Sequence, residues 1–299
     1  MEDKAIEGIY QAIQALEKEI HEIKQAIVPE TKVAQTKGFD ELEFRRELKN
    51  KNLSKNTIES YIDRVNKFFK AYDEINEDNL KEFESNLKEL SPKTFNLSAV
   101  AMQRYFDYIG YSGYSLARIK EQKKSFCDNV PTEKQYNTLA EWTKANDPMT
   151  YKIVRIIGQT GVRVSELIRL KTEDLEKGYV DIVGKGGKTR RIYFPKTLTK
   201  ELIPLCNGTY LIEKENGEPF TTRGIAWRLT KAGKKCGLPK EIMHPHSLRH
   251  YFAKQFLKQK NDITLLGDLL GHSNISTTAI YTRMTTEEQK AEIDSIVNW

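Results

Sequence analysis

The stretch His244-Pro-His-Ser-Leu-Arg-His250 concentrates imidazole and guanidinium groups at the predicted start of a helix. If that helix begins near Pro245, His246 and Arg249 lie one turn apart on the same side. Three apolar positions at i, i+4 and i+8 are predicted to anchor the helix in the core: Leu248, Phe252 and Phe256. Alone, a His-x-x-Arg pair more often lies on a solvated helix face, so its meaning depends on partners elsewhere in the chain.

Two segments that follow this helix supply further polar groups. A helix over residues 264–270 is predicted to end at Gly271, which leaves His272 at its C-terminal end. Another helix is predicted from about Ser276, with Tyr281 in its second turn. The tail from residue 287 carries an apolar helical stripe, so we expect it to be buried against its own domain or a neighbour.

An arginine upstream stands between two predicted helices. The first covers residues 151–159 and stops at Thr160-Gly161, and the second is short and begins at Val164. Arg163 lies between them, a position that suits a rigidly held arginine directed at an anion. Glu166, one turn on, either orients this arginine or caps the helix.

A β-hairpin is predicted in the same region. Residues 179–183 and 189–194 are rich in strand-forming residues and flank Gly184-Lys-Gly-Gly-Lys188. This glycine turn lacks the residue order of a phosphate-binding P-loop, and no helix follows it. What remains is a hairpin that presents a lysine, Lys185 or Lys188.

The first 30 residues carry a heptad pattern that ends at Pro29. Seven apolar residues are spaced alternately by three and four positions: Ile6, Ile9, Ile13, Leu16, Ile20, Ile23 and Ile27. Isoleucine at both core positions favours coiled coils of three or more strands, which predicts self-association. The alternative is one amphipathic helix lying on its own protein.

Residues 38–115 are predicted to form a small all-helical domain, with helices over about 39–49, 54–72, 79–90 and 92–109. Basic and polar groups cluster at two helix starts, where backbone N–H groups suit phosphate contacts. Ordinary capping on a solvated face is the alternative. The candidate DNA-contacting residues of this domain are Lys55, Asn56, Thr57, Lys93, Thr94 and Arg104.

A basic segment, residues 116–131, is predicted to link this domain to a second one over residues 132–299. Lys123 and Lys124 of the linker are candidates to lie along a DNA backbone. In the second domain, a helix predicted over residues 222–236 has Arg223 and Lys231 away from its apolar face. This basic side either faces a nucleic-acid groove or is merely solvated.

Composition and charge predict an intracellular protein with a polyanionic partner. The 299 residues contain 48 Lys and Arg against 42 Asp and Glu, a formal charge of +6. Residues 1–30 are net acidic, so the excess positive charge lies in the rest of the chain. Three widely spaced cysteines without a C-x-x-C pair indicate neither a disulfide framework nor a metal site. Neither a signal peptide nor a membrane span is predicted, so the expected location is cytoplasmic.

The residue types of the second domain match phosphoryl transfer without a metal or another cofactor. Two guanidiniums can clamp the non-bridging oxygens of a phosphodiester and stabilise the charge of the transition state. A tyrosine hydroxyl can attack the phosphorus to give a phosphotyrosyl ester, while lysine and histidine transfer protons. No ATP is needed, because the intermediate retains the phosphoester.

Five segments in order resemble the motifs of the tyrosine recombinase (phage integrase) family, closest to its compact, Xer-like members. They are Thr160-Gly-Val-Arg-Val-Ser-Glu-Leu167, Gly184-Lys-Gly-Gly-Lys188, His246-Ser-Leu-Arg-His250, Leu270-Gly-His-Ser273 and Thr277-Thr-Ala-Ile-Tyr281. No single segment is specific for the family, but five segments in the family's order are. Leu90-Ser-Pro-Lys-Thr94 resembles the family's core-binding domain more loosely.

The resemblance implies a mainly α-helical fold with a small β-hairpin. An N-terminal coiled-coil helix would precede a helical core-binding domain and a tyrosine recombinase catalytic domain. Arg163 and Arg249 would clamp the phosphate, and Glu166 matches the family's supporting acid near the first arginine. Lys185, the first lysine after Gly184, would protonate the leaving 5′ oxygen.

The remaining catalytic roles fall on two histidines and one tyrosine. His246 would act in proton transfer, His272 would hydrogen-bond the scissile phosphate, and Tyr281 would attack it. His244 and His250 receive no catalytic role. The tail from about residue 287 would dock on an adjacent protomer, which would couple the placement of Tyr281 to assembly.

The implied activity is site-specific recombination of double-stranded DNA at paired half-sites in a prokaryotic cell, in association with the nucleoid. A tetramer on DNA would exchange strands through a covalent 3′-phosphotyrosine and a Holliday junction. The target sequence stays open, as does the choice among integration, excision, resolution and transposition. Two other functions also stay open: a type IB topoisomerase-like nicking-closing enzyme, and a non-catalytic architectural DNA-binding protein. The heptad helix, unusual for compact members of the family, would contact neighbouring protomers.

Overall fold

The computed structural model describes residues 38–121, 129–183, 189–272, 274–283 and 285–296. These residues fall into two compact units, one within residues 1–123 and the other within residues 124–299. Several predicted features lie outside the described residues: the heptad helix (1–30), Lys123, Lys124, Lys185 and Lys188.

The first unit is helical. Its helices are α1 (Glu41–Asn50), α2 (Lys55–Phe69), α3 (Glu77–Lys88) and α4 (Pro92–Ile109). Each begins after a residue whose side chain accepts a hydrogen bond from the first turn: Asp40, Ser54, Asn76 and Ser91. Phenylalanines fill the core between them, and Phe68 meets Phe83 edge to face at 5.2 Å. The four predicted helices are confirmed, with bounds shifted by a few residues.

The segment predicted as a linker is packed at both ends. Leu116 is buried in the core of the first unit. The Asn96 side chain hydrogen-bonds both the N–H and the carbonyl of Ile119. At the other end, Val130 is buried in the core of the second unit. Residues 116–119 therefore belong structurally to the first unit and residue 130 to the second.

The second unit surrounds one β-hairpin with helices. Before the hairpin come α5 (Glu133–Asn146), α6 (Pro148–Thr160), α7 (Val164–Leu167) and α8 (Thr172–Lys177). Strands β1 (Tyr179–Val183) and β2 (Thr189–Tyr193) pair antiparallel, with Val183 opposite Thr189. After it come α9 (Lys196–Leu202), α10 (Thr222–Lys235), α11 (Pro245–Gln259), α12 (Ile263–Leu270), α13 (Ile275–Thr278) and α14 (Thr286–Ile296). The predicted mainly helical fold with a small hairpin is confirmed.

Helix α6 lies at the centre of the second unit, and α11 packs against it. Ile153, Ile156 and Ile157 of α6 are fully buried, and Gly161 ends the helix with a φ of 64°. Of the core positions predicted for α11, Leu248 lies in the main core. The other two, Phe252 and Phe256, are only partly buried and pack in a smaller cluster with Leu266, Leu270 and Tyr281.

The chain after α12 differs from the prediction. Instead of one helix from Ser276, α13 ends at Thr278 and a 3₁₀ turn, Ala279–Thr282, follows. Tyr281 sits in this turn and is only 4% exposed. An ion pair between Lys254 of α11 and Glu288 ties down the start of α14. No helix in the described part of the chain is long and apolar enough to cross a membrane.

Candidate active site

Three arginines from three different elements meet at the C-terminal end of α12. The guanidiniums and their carbonyl acceptors are Arg190 and Leu269 (2.6 Å), Arg249 and Leu270 (2.7 Å), and Arg163 and Gly271 (3.1 Å). The last carbonyls of a helix have no partner inside it and carry its negative partial charge. The end of α12 therefore fixes three positive groups in one place.

Arg249 is the most deeply held of the three. Its side chain projects from the first turns of α11, is 3% exposed, and also donates to the carbonyl of Gly161. Burial, followed by the charge of Arg163, lowers the pKa of Arg249 to about 10. Arg249 therefore remains a cation at neutral pH.

Arg163 is held by Glu166 at the start of α7. Glu166 Oε2 accepts from the Arg163 backbone N–H at 2.8 Å, and its Oε1 accepts from Arg163 Nη1 at 3.0 Å. Glu166 thus both caps the helix and orients the arginine, the two functions that the sequence left as alternatives. The side chain of Arg163 remains 33% exposed, so a bound anion can reach it.

Arg190 in β2 is a member of this group that the sequence analysis missed. Its Nη2 donates to Glu166 Oε2 at 2.6 Å, and its side chain is only 8% exposed. Neighbouring Arg191 points to the other face of the hairpin, where it pairs with Asp181 in solvent. The available signal was strand alternation, which puts Arg190 on the same face as the buried Ile192.

His272 follows Gly271 and is fixed as a neutral ring. Its Nε2 lies 3.2 Å from Arg249 Nη2, and its Nδ1 lies 2.9 Å from Thr278 Oγ1. Because a guanidinium only donates, Nε2 must accept and Nδ1 must carry the proton. Burial, followed by the charge of Arg249, lowers the pKa of His272 to about 4.

The Tyr281 hydroxyl contacts a histidine to which the sequence analysis gave no role. His250 Nδ1 lies 3.0 Å from the Tyr281 hydroxyl oxygen. His250 stands one turn of α11 after His246, which is exposed. The available signal in the sequence was that His250 lies within the histidine-rich stretch 244–250. His244, by contrast, accepts a hydrogen bond from the Ser247 N–H and caps α11.

The candidate DNA-contacting residues of the first unit lie at the starts of α2 and α4 and on the surface of α4. Lys55, Asn56, Lys93 and Arg104 are exposed. The N–H groups of the other two, Thr57 and Thr94, donate to the capping serines. Capping and surface charge therefore occur together here.

The two candidates of the second unit, Arg223 and Lys231, are exposed on α10. Lys231 Nζ lies 5.0 Å from the ring centre of Trp227, which is itself exposed. One face of α10 therefore presents an aromatic ring together with positive charge.

A groove beside the hairpin joins several of these groups. Arg163, Glu166, Arg190, Gly271 and His272 are among the residues that line it. Within the described ranges, no group of three or more potential metal-ligating side chains occurs. What the arrangement offers chemically is a positively charged groove in the unit that also contains the Tyr281 hydroxyl.

Comparisons with known proteins agree with this chemistry. Residues 129–288 match the model of the phage integrase family. The chain is 34% identical over 269 residues to tyrosine recombinase XerA of Pyrococcus furiosus, covering 84% of this chain and 92% of that protein. It is 37% identical over 147 residues to tyrosine recombinase XerC of Staphylococcus saprophyticus, covering 46% of this chain and 49% of that protein.

Two solved structures share the fold at low sequence identity. One is XerH site-specific recombinase in a post-cleavage complex with a palindromic difH substrate, with a TM-score of 0.62, 22% identity, and coverage of 88% of this chain and 90% of that one. The other is a lambda integrase tetramer bound to a Holliday junction, with a TM-score of 0.67, 18% identity, and coverage of 80% and 75%. The chain belongs to the phage integrase family and is a tyrosine recombinase, an enzyme of site-specific DNA recombination that breaks and rejoins DNA.

Proposed function

We propose that this recombinase cleaves each DNA strand with Tyr281 as the nucleophile and rejoins it to a new partner through a Holliday junction. The convergence of Arg163, Arg190 and Arg249 on the end of α12 carries the proposal. A phosphodiester is the anion that such a cluster suits in a DNA-processing enzyme, because guanidiniums bind its oxygens in pairs.

In the proposed cleavage step, Arg163 and Arg249 hold the two non-bridging oxygens and offset the charge that builds up on them. The Tyr281 oxygen bonds to phosphorus, and the bond to the 5′ oxygen breaks. Lys185 donates a proton to that departing oxygen, and His246 takes up the proton that the Tyr281 hydroxyl loses. In the 3′-phosphotyrosine the new ester bond to Tyr281 replaces the broken one, so a 5′ hydroxyl can reverse the step on another strand.

Substrate binding would change the role of His272. Its Nε2 accepts from Arg249, whereas a hydrogen bond to phosphate requires a proton on that nitrogen. A phosphodiester would take over the Arg249 N–H and supply negative charge, which favours protonation of Nε2. His272 then donates to the scissile phosphate.

A nicked suicide substrate tests this function. Loss of the short fragment beyond the nick prevents rejoining, so the parent protein should accumulate a covalent DNA adduct. Tyr281→Phe should bind the same DNA and form none. Absence of an adduct with the parent would favour an architectural DNA-binding protein, and an adduct with Tyr281→Phe would refute this nucleophile. A strand-exchange assay separates recombination from topoisomerase-like nicking and closing.

We also propose that four protomers assemble on two paired sites in the cytoplasm of a prokaryotic cell, where the DNA lies in the nucleoid. In support, Ile293 and Ile296 of α14 are exposed in the single protomer, as a surface that docks on a neighbour would be. The heptad pattern before Pro29 would add contacts between protomers. Tetramer formation on DNA should weaken when residues 1–30 are deleted, and unchanged assembly would rule out that contribution.

The proposed DNA contacts extend along both units. Exposed basic and polar groups at helix starts would bind backbone phosphates, and the basic side of α10 would lie against the duplex. The residues proposed for these contacts are Lys55, Asn56, Thr57, Lys93, Thr94, Arg104, Lys123, Lys124, Arg223 and Lys231. Each phosphate contact that is removed should reduce the salt dependence of binding by about one unit of slope.

A further inference from the structure

Arg190 belongs to the arginine cluster, but the proposed cleavage step gives its buried guanidinium no contact with the phosphate. Its two terminal nitrogens donate to Glu166 Oε2 and to the Leu269 carbonyl, both at 2.6 Å. Its Nε is buried and has no hydrogen-bond partner among the described residues. Burial lowers the pKa of Arg190, which reflects the free energy needed to keep a guanidinium there.

Glu166 links Arg190 to Arg163. The carboxylate receives Arg190 on Oε2 and the Arg163 guanidinium on Oε1. Held from both sides, Glu166 can present Oε1 to Arg163 in one orientation only. If Arg190 were absent, only the Arg163 backbone N–H would still hold Oε2, and the partly exposed guanidinium of Arg163 would be held less firmly in its direction.

The second hydrogen bond of Arg190 acts on the segment that precedes His272. Leu269 supplies the first of three consecutive carbonyls, and the next two accept from Arg249 and Arg163. Arg190 thus fixes the same turn of chain from the hairpin side. Gly271 makes room for it, because a Cβ at that position would lie 2.2 Å from Arg190 Cδ.

We propose that Arg190 is a positioning residue for DNA cleavage, which acts through Glu166 on Arg163 and through Leu269 on the segment that bears His272. This inference rests on the proposed function of Arg163 and His272 as phosphate-binding groups. A forked guanidinium is required, because a lysine at this place has one nitrogen and cannot hold the carboxylate and the carbonyl in the same geometry.

The test compares Arg190→Gln and Arg190→Lys with Arg191→Gln. The control removes the same charge from the next residue, on the solvent face of the strand. Single-turnover adduct formation on a nicked duplex, DNA affinity and thermal unfolding are measured for each. Arg190→Gln should cleave about 10 to 100 times more slowly than the parent, since misplaced catalytic groups have losses of this size. Its DNA affinity should stay within about threefold, and Arg190→Lys should be slow as well.

A double-mutant cycle with Arg163→Lys separates positioning from general damage. Arg190→Gln should slow the Arg163→Lys protein by a smaller factor than it slows the parent, because the route through Glu166 is already lost there and only the route through Leu269 remains. Equal losses in both backgrounds, or cleavage by Arg190→Gln within about twofold of the parent, would overturn the inference. If Arg190→Gln does not fold, Arg190→Lys replaces it in the cycle. A parent protein that forms no adduct would refute the proposed function instead.

Discussion

The hydroxyl of Tyr281 lies 3.0 Å from Nδ1 of His250. Burial, followed by the neighbouring histidines and Arg249, lowers the pKa of His250 to about 4, so the ring is neutral and its Nδ1 can accept the phenolic proton in a hydrogen bond. A base this weak is poorly matched to remove a proton from a phenol with an ordinary pKa of about 10. The contact therefore holds the Tyr281 hydroxyl in place rather than ionising it.

Replacing His250 should slow cleavage in proportion to the loss of this contact. His250→Phe removes the acceptor, and we expect adduct formation on a nicked duplex to slow by about tenfold. His250→Asn offers an amide oxygen near the former Nδ1 and should stay within about threefold of the parent.

His244→Asn is the matched control, because His244 caps α11 and asparagine is a good capping residue. Its cleavage rate should equal that of the parent. Equal rates for His250→Phe and His250→Asn would show that the hydrogen bond does not matter for cleavage.

Stability should fall at mildly acidic pH because of two partly buried histidines. The pKa values of His250 and His272 drop from 6.5 to about 4 on folding, so below pH 6.5 the unfolded chain binds protons that the folded protein does not. The contribution of these two histidines to stability is constant above that pH and falls as the pH decreases towards 4. At pH 5 each histidine can remove up to about 2 kcal/mol, with less for the more exposed His272.

Urea unfolding between pH 5 and pH 7.5 measures this effect. His250→Asn should flatten the pH dependence of the unfolding free energy, whereas His244→Asn should change it less. An unchanged slope in His250→Asn would mean that His250 is already protonated in the folded protein.

Local patterns predicted those parts of the fold in which one helix or strand carries its own signal. Ser54 and Ser91 cap their helices, and Gly161 and Gly271 end theirs, as expected. The hairpin strands also follow their alternation. The helix predicted through Tyr281 is wrong, because packing of this tyrosine against α11 and α12 gives a 3₁₀ turn instead of a regular helix. This packing is tertiary, so it leaves no local pattern in the sequence.

The site was predicted where motif residues match a known family, and missed where contacts are made across the fold. Arg190 and Glu166 stand 24 residues apart in sequence, and His250 and Tyr281 stand 31 apart. Neither contact follows from spacing. In the sequence, Arg190 is one of two adjacent arginines. Only its burial in the structure distinguishes it from Arg191.

Lys185 and Lys188 should differ in function. Lys185→Ala should slow cleavage strongly, since a departing 5′ alkoxide needs a proton. A substrate with sulfur at the bridging 5′ position should restore the rate, because a thiolate leaves without protonation. Lys188→Ala should cleave both substrates at nearly the parental rate. Rescue of Lys188→Ala rather than Lys185→Ala would reverse the assignment.

Arg163→Ala and Arg249→Ala should both abolish adduct formation but differ in stability. Arg249 is 3% exposed and donates to the buried residues Gly161 and Leu270, so its removal leaves two carbonyls without partners and should cost about 2 to 4 kcal/mol. Arg163 is 33% exposed, and its loss should cost about 1 kcal/mol or less. Denaturant unfolding measures the difference in the free energy of unfolding. Gel-shift assays should show that both variants still bind DNA. Equal destabilisation would contradict the burial of Arg249, and loss of DNA affinity in both variants would contradict their assignment as the phosphate clamp.

Gly271→Ala and Gly178→Ala separate backbone strain from the contact with Arg190. Both glycines end helices at positive φ, 64° and 81°, so alanine should cost about 1 kcal/mol at either position. Gly178 has open space where its Cβ would go, whereas at Gly271 the Cβ would meet Arg190 Cδ at 2.2 Å. Gly271→Ala should therefore unfold at clearly lower denaturant and cleave more slowly, while Gly178→Ala cleaves like the parent. Adding Arg190→Ala removes the obstructing side chain, so Gly271→Ala should destabilise that background by no more than Gly178→Ala does. Destabilisation of equal size in both backgrounds would mean that Gly271 is required by its backbone conformation alone.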